Sequence, residues 1–146
     1  STPERLMAVW PSRFKSVEEA MPYTKNPEAL ANKVYNGRMG NEEGSSDGWK
    51  FSGKGFIQLT GRSNYRSFSS DMRLPEVMQH PVFVETEYAF ESALWFFRSN
   101  KLFTICDQGV DSETIKSVTK RVNGGTHGLK DREEQTKKIY EWLTKV

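Results

Sequence analysis

Three neutral polar side chains able to form hydrogen bonds, Gln58, Thr60 and Asn64, lie close together in the stretch 53–65. Their amide and hydroxyl groups donate and accept hydrogen bonds, as groups that bind sugar hydroxyls do. The stretch opens with Gly-Lys-Gly, and glycine lets a backbone approach a ligand closely. Apolar and polar residues alternate after these glycines. Periodicity alone therefore favours a β-strand between two turns, with its polar residues in water.

Helix start signals precede this stretch and must help to position it. Ser1, Ser16 and Asn26 each stand where a helix N-cap is expected, so each predicts a helix that begins just after it. Residues 38–48 are rich in Gly, Asn, Ser and Asp, which predicts a long polar loop. Residues 49–51 are expected to form a strand that leads into the central stretch.

The elements after the stretch are predicted to be helical. Residues 62–70 and the segment that follows Asp111 show helical patterns. The segment 82–97 is apolar around almost its whole circumference, which predicts a buried central helix. The last helix is expected over residues 130–145, with four residues at core spacing: Ile139, Trp142, Leu143 and Val146. Many helices with a small β element indicate an α+β domain of mostly helical, lysozyme-like architecture.

Three blocks of the sequence resemble one enzyme family. Residues 53–65 read Gly-Lys-Gly-Phe-Ile-Gln-Leu-Thr-Gly-Arg-Ser-Asn-Tyr and look like the signature of glycoside hydrolase family 19, with Lys54 where arginine is usual. Residues 35–41 and 122–132 resemble the bacteriophage endolysin branch of that family in particular. A single Gly-x-Gly carries little weight, whereas three blocks in the right order are a specific signal.

The resemblance implies roles for individual residues. Thr60 matches the family's serine or threonine that holds the water opposite the sugar, and Arg132 matches an arginine that pairs with the region of the catalytic glutamate. Both are candidate catalytic residues. Gln58, Asn64 and Asn123 match groups that contact the substrate. The residues by themselves leave alternatives open, namely an ordinary strand threonine, amides that bond the backbone in turns, and a solvated helix arginine.

Three further residues lie near these blocks. Trp49, beside the polar loop, is a candidate substrate-binding residue because its ring could stack on an N-acetylated sugar, although a core tryptophan fits equally well. Lys54 is expected to be exposed. His127 lies in a loop, where a histidine is more often a surface group than a catalyst, and it receives no role.

Hydrolysis of a glycosidic bond needs two carboxyl groups, roughly 6.5–9.5 Å apart in an inverting enzyme. The resemblance implies an inverting mechanism with both carboxylates before Ser1, since the sequence contains no His-Glu dipeptide. We therefore expect residues 1–146 to form a single family 19 catalytic-type domain that lacks its N-terminal portion and is inactive alone. Three acids near the central stretch are most simply charges of a solvated loop: Glu42, Glu43 and Asp47.

The resemblance implies an endolysin that degrades peptidoglycan by hydrolysing the β-1,4 bond between N-acetylated sugars, with no metal or organic cofactor. A chitinase is one alternative, and a non-catalytic module that binds cell-wall glycan is another. The net charge of +2, with acids and bases interspersed, predicts no nucleic-acid partner. No apolar run approaches about 20 residues, so no membrane insertion is expected, and no signal peptide is visible. We expect a monomer made in the bacterial host cytoplasm that acts on the cell wall.

Overall fold

The computed structural model describes residues 1–145, and this range is mostly helical. It contains a 3-10 turn at Met21–Tyr23 and eleven α-helices: α1 (Pro3–Val9), α2 (Val17–Ala20), α3 (Pro27–Tyr35), α4 (Asp47–Lys50), α5 (Arg62–Met72), α6 (Glu76–Gln79), α7 (Phe83–Thr86), α8 (Ala89–Ser99), α9 (Leu102–Cys106), α10 (Ser112–Asn123) and α11 (Leu129–Thr144). The β structure of residues 1–145 is one isolated antiparallel bridge between Lys54 and Leu59. The structure is consistent with a lysozyme-like helical fold, and the small β element is not confirmed.

The chain divides into two compact units. Unit 1 is Ser1–Ala93, and unit 2 begins at Leu94, so the division falls within α8. Across the described part of the chain, every helix is too short or too polar to cross a membrane.

Local capping sets the start of several helices, as the sequence predicts. Ser16 and Asn26 accept hydrogen bonds from the backbone N–H three residues later, at 3.2 and 3.0 Å. Asp111 accepts from two N–H groups of α10, at 3.0 and 3.1 Å. At α1 the cap is Thr2 rather than Ser1, and its hydroxyl oxygen lies 3.3 Å from the N–H three residues on. These bonds satisfy N–H groups that have no partner inside the helix.

The core of unit 1 includes residues on the inward faces of α1, α3 and α5, and Phe14 from the segment between α1 and α2. Leu6, Phe14 and Val34 are buried together in one cluster. Tyr65 and Phe68 on α5 are fully buried, which confirms the predicted inward face of that helix. The α5 helix therefore has a fixed rotation, and its N-terminal end is held close to the central stretch.

The predicted buried central helix over residues 82–97 is wrong in two respects. The segment forms two helices, α7 and α8, because the N–H groups of Glu87 and Tyr88 both donate to the carbonyl of Phe83 and close the first helix. In addition, Phe90 and Leu94 are 57% and 40% exposed. An apolar pattern around a helix identifies residues that could be buried, but only the neighbouring elements decide which of them are covered.

The strand predicted at residues 49–51 is also wrong, because the short helix α4 occupies this position. The side-chain oxygens of Asn36 and Asn32 accept hydrogen bonds from the N–H groups of Gly48 and Trp49, both at 2.8 Å. A Cβ on Gly48 would lie 2.5 Å from the carbonyl oxygen of Ala31. The backbone of α4 therefore packs directly against α3, and only glycine allows this approach.

The last helix, α11, forms where the sequence predicts it, but its apolar residues do not enter a core. Ile139, Trp142 and Leu143 are 54%, 70% and 60% exposed, and Val146 lies outside the described residues. Their spacing defines an apolar stripe along the helix. Within unit 2, α11 packs against α10, and this contact leaves the stripe in solvent.

Candidate functional site

Parts of two of the sequence blocks, residues 38–41 of the first and 60–63 of the second, lie in close contact in unit 1. The N–H of Ser63 donates to the carbonyl oxygen of Met39 at 2.9 Å. A Cβ on Gly40 would lie 2.0 Å from the hydroxyl oxygen of Ser63, and one on Gly61 would lie 2.4 Å from the Cβ of Met39. Gly61 also has φ +90°, a conformation that other residues rarely adopt. Both glycines are therefore required for the contact between the blocks.

A network of polar side chains reinforces this contact. Asn41, 5% exposed, accepts a hydrogen bond from the N–H of Arg62 at 2.8 Å and donates to the carbonyl of Tyr35 at 3.0 Å. The Arg62 guanidinium pairs with the carboxylates of Asp47, at 3.0 Å, and Glu42. The negative charges of these carboxylates raise the pKa of Arg62, and Asp47 has the largest effect. Together these bonds fix the start of α5 beside Thr60.

Asp47 differs from its predicted role as a solvated loop charge. It is 8% exposed, and its carboxylate also accepts a hydrogen bond from the N–H of Glu42 at 3.0 Å. A carboxylate that is this buried needs such partners, because its desolvation is costly. Asp47 thus helps to hold the site in place, whereas the side chain of Glu42 remains largely exposed.

The central stretch itself is a loop with fixed geometry. Lys54 and Leu59 exchange backbone hydrogen bonds at 3.2 and 2.9 Å. Between them Gln58 has φ +55°, which is uncommon for a residue with a side chain. A Cβ on Gly55 would lie 2.7 Å from the carbonyl oxygen of Val84. The backbone of this turn therefore packs against α7. The stretch is not the β-strand that periodicity favours.

Three predicted site residues of unit 1 follow one another here, with Gln58 and Thr60 on this loop and Asn64 in the first turn of α5, and each donates a hydrogen bond to a backbone carbonyl. The hydroxyl of Thr60 donates to Gln58 at 2.7 Å. The amide of Gln58 donates to Gly55 at 3.1 Å, and the amide of Asn64 donates to Thr60 at 2.8 Å. The side-chain oxygens of Gln58 and Thr60 both lie close to Gly53. A Cβ built on Gly53 would be 2.9 Å from the Gln58 oxygen and 3.1 Å from the Thr60 oxygen.

These bonds decide what the side chains can do chemically. The single hydroxyl proton of Thr60 is committed to a carbonyl, so its oxygen is left as an acceptor. The amide oxygens of Gln58 and Asn64 are acceptors as well. The loop and the first turn of α5 therefore present three acceptor oxygens and one further N–H on each amide, which suit ligands that can donate to these oxygens, such as a water molecule, a sugar hydroxyl or the N–H of an acetamido group.

Lys54 is held within the site and is not the freely exposed residue that the sequence predicts. Its ammonium group donates to the hydroxyl oxygen of Ser52 at 2.9 Å and to the carbonyl of Lys50 at 3.1 Å. The hydroxyl of Tyr65 donates to the carbonyl of Ser52 at 2.9 Å. Burial lowers the pKa of Lys54, and the charge of Glu85 opposes this shift. Lys54 thus anchors the start of the central loop.

Two grooves of unit 1 border the loop. The larger, about 580 Å³, is lined by Trp49 and His80 among others, and Trp49 is 43% exposed. The smaller, about 250 Å³, is lined by Phe56 and Gln58 among others. Both grooves share three lining residues: Gly53, Lys54 and Glu85. Trp49 therefore has an exposed ring on a groove that adjoins Gln58, as a substrate-binding role requires.

The two site residues predicted in unit 2 contact each other. A guanidinium N–H of Arg132 donates to the side-chain oxygen of Asn123 at 3.2 Å, and the amide of Asn123 donates to the carbonyl of His127 at 2.9 Å. Both of these polar groups of Asn123 are thus used to hold the turn at residues 124–128. Arg132 is exposed and retains donors that could pair with a carboxylate. A common cleft for these two residues and the acceptor oxygens of unit 1 stays a prediction.

Sequence reasoning did not single out Asn41, Asp47 or Arg62 as parts of the site. Asn41 and Arg62 lie in the blocks 35–41 and 53–65 that resemble the family, whereas Asp47 lies in neither and was interpreted as a charge of a solvated loop. Their function in the structure is to position the loop, and the partners concerned are 15 to 21 residues apart in sequence.

Comparison with known proteins identifies a similar sequence. No protein-family model matches the chain. Over 114 residues, 77% of the chain, the sequence is 32% identical to a protein of Haemophilus influenzae (strain ATCC 51907 / DSM 11121 / KW20 / Rd) named glycosyl hydrolase family 19 domain-containing protein. The chain spans 53%, about half, of the length of that relative. The similarity supports, at the level of the family, the relationship to glycoside hydrolase family 19 that the sequence blocks indicate.

Proposed function

We propose, from this relationship to glycoside hydrolase family 19, that the chain contributes to hydrolysis of the β-1,4 bond between N-acetylated sugars in peptidoglycan, as an endolysin does. The observation that carries the proposal is the set of acceptor oxygens on Gln58 and Thr60 of one fixed loop and on Asn64 in the first turn of α5, which follows that loop. Such a set suits a glycan, whose hydroxyl and acetamido groups all offer hydrogen-bond donors.

Thr60 is proposed to hold the water that attacks the sugar. Because the Thr60 hydroxyl donates to the carbonyl of Gln58, its oxygen accepts a hydrogen bond from that water. The water keeps its second proton for a carboxylate base and a lone pair for the anomeric carbon. A threonine hydroxyl is a poor base at neutral pH, so its contribution is orientation and not removal of the proton.

The acid and base of this inverting reaction are proposed to be two carboxylates that the family pattern puts ahead of Ser1. One would protonate the leaving oxygen, and the other would take the proton of the water held by Thr60. Arg132 is proposed to pair with the region of a catalytic glutamate. Its exposed guanidinium, which donates one hydrogen bond to Asn123, retains donors for that purpose.

Gln58 and Asn64 are proposed to bind the hydroxyl and acetamido groups of the sugars, and Trp49 to stack on a sugar ring. This assignment suits peptidoglycan and also chitin, because the two polymers share the linkage and the acetamido group. An endolysin would be made in the cytoplasm of the host and act on its wall. A module that binds wall glycan without cutting it is the alternative from another class.

The experiment compares Thr60→Val with Thr60→Ser. The assay measures release of reducing ends from peptidoglycan and from chitin. It is applied to both variants, to the purified chain and to a version extended by any residues that its gene encodes before Ser1. Thr60→Val keeps the shape and loses the acceptor, so we expect turnover of the extended enzyme to fall about tenfold or more, equivalent to at least about 1.4 kcal/mol. Thr60→Ser should retain most activity.

The outcomes separate the alternatives. Cleavage of peptidoglycan and not of chitin supports the endolysin, and the reverse supports the chitinase. Glycan binding by every version with no cleavage by any of them supports the binding module. Equal turnover of Thr60→Val and the unmodified enzyme would contradict the role given to Thr60.

A further inference from the structure

Phe56 is the most exposed of the large apolar side chains in residues 1–145, with 76% of its surface in solvent. Its backbone is not free, because its N–H donates to the carbonyl of Ala89 at 3.3 Å. The preceding Gly55 has φ +69°, and a Cβ there would lie 2.7 Å from the carbonyl of Val84 and 2.8 Å from the hydroxyl oxygen of Ser92. The backbone is thus pressed inward while the phenyl ring is held outward.

The ring is also placed beside hydrogen-bonding groups. Phe56 and Gln58 line the same groove of about 250 Å³, which shares Gly53, Lys54 and Glu85 with the groove that Trp49 lines. Exposed aromatic rings therefore border both of the adjoining grooves, and Gln58, with its acceptor oxygen, lines the same groove as Phe56. Single exposed apolar residues are common on protein surfaces, so it is this combination that carries weight.

A sugar in the pyranose form has the matching chemistry. Its ring presents C–H groups on its faces and hydroxyl or acetamido groups at its edge. An aromatic ring can contact the face while neighbouring oxygens accept from the edge. Glu85, exposed and common to both grooves, supplies a further acceptor.

We infer that Phe56 is a second aromatic sugar-stacking residue, and that the two adjoining grooves bind successive sugars of one β-1,4-linked N-acetylated chain. The inference rests on the proposed function, because it takes the glycan as the ligand. It adds a binding residue at a position for which the family pattern specifies only an aliphatic side chain, and it extends the binding surface beyond Trp49.

The test is binding of a soluble hexamer of β-1,4-linked N-acetylglucosamine to the full chain, measured by calorimetry. Phe56→Leu removes the aromatic face and keeps an apolar side chain of similar size, whereas Phe56→Tyr keeps the ring. We expect about 3- to 10-fold weaker binding for Phe56→Leu, the range that an aromatic contact commonly contributes. Phe56→Tyr should bind within about twofold of the unmodified chain, on the same reasoning.

A matched control and the contrary outcomes complete the design. Phe103→Leu changes an exposed phenylalanine of unit 2, 44% in solvent, and should leave binding unchanged. Circular dichroism verifies that each variant is folded. Binding of Phe56→Leu equal to that of the unmodified chain would overturn the inference alone and leave the proposed function standing. Failure of the unmodified chain to bind the hexamer would also overturn the inference, whereas the proposed function is decided separately by the cleavage assay on peptidoglycan and chitin.

Discussion

Replacement of Asn41 with alanine should destabilise unit 1 strongly, although Asn41 is a loop residue with no charge. Its side chain is 5% exposed and makes two hydrogen bonds across the molecule, one from the N–H of Arg62 at 2.8 Å and one to the carbonyl of Tyr35 at 3.0 Å. The N-cap position of α5 is Gly61, which offers no side chain. Asn41 therefore acts as the cap of α5 from 21 residues away.

The magnitude follows from these two bonds. Each contributes about 1 kcal/mol, and alanine leaves a buried donor and a buried acceptor without a partner, so the free energy of unfolding should fall by about 2–3 kcal/mol. For a chain of 146 residues this corresponds to a decrease in melting temperature of about 4–12 °C. The measurement is urea and thermal unfolding followed by circular dichroism.

Asn100→Ala is the matched control, because Asn100 is an exposed asparagine whose amide makes a single hydrogen bond to the carbonyl of Phe96. Its cost should stay within about 0.5 kcal/mol, as for most surface substitutions. Hydrogen exchange at the amide of Arg62, measured by NMR, gives a local reading and should accelerate in Asn41→Ala. A loss of stability no larger than that of the control, with unchanged exchange at Arg62, would refute the reasoning.

Three further predictions concern unit 1, each read by urea unfolding. Gly61→Ala should cost more than Gly44→Ala, because both have positive φ but only the Cβ on Gly61 meets another residue, at 2.4 Å; equal costs would argue against the close contact. Phe68→Ala should cost about 3–5 kcal/mol and Phe90→Ala about 0.5 kcal/mol or less, given their 0% and 57% exposure; similar costs would contradict the observed burial. Burial raises the pKa of Tyr65 above its ordinary value of 10.0, so the folded state retains a proton that the unfolded chain releases, and stability should decline above about pH 10. Tyr65→Phe should lessen this decline, and an unchanged pH dependence would count against it.

The sequence alone predicts those elements whose causes are local. Ser16, Asn26 and Asp111 cap their helices through N–H groups at most three residues away, so neighbouring residues suffice to reveal them. The inward face of α5 is visible in the same way, because Tyr65 and Phe68 repeat at helical spacing and are both buried. Short-range capping and periodicity need no knowledge of what the element packs against.

Burial and exposure depend on neighbours that lie far apart in sequence, and there the sequence alone was misleading. Phe90 and Trp142 have the pattern of core residues, yet 57% and 70% of their surfaces are exposed. Lys54 has the character of a surface residue, yet its ammonium group is bound by Ser52 and Lys50. A hydrophobic pattern states which side chains gain from burial, whereas the packing of the other elements decides which of them obtain it.

The candidate site divides in the same way. The identity of Gln58, Thr60 and Asn64 as site candidates came from the sequence, because their types and order resemble a family signature. Only the tertiary structure decided that the Thr60 hydroxyl and one N–H of each amide are bound to the carbonyls of one loop and that the side-chain oxygens are left to accept. The reason is that this loop takes its shape from contacts with α7 and with residues 38–41, which are distant from it in sequence and are brought close by folding.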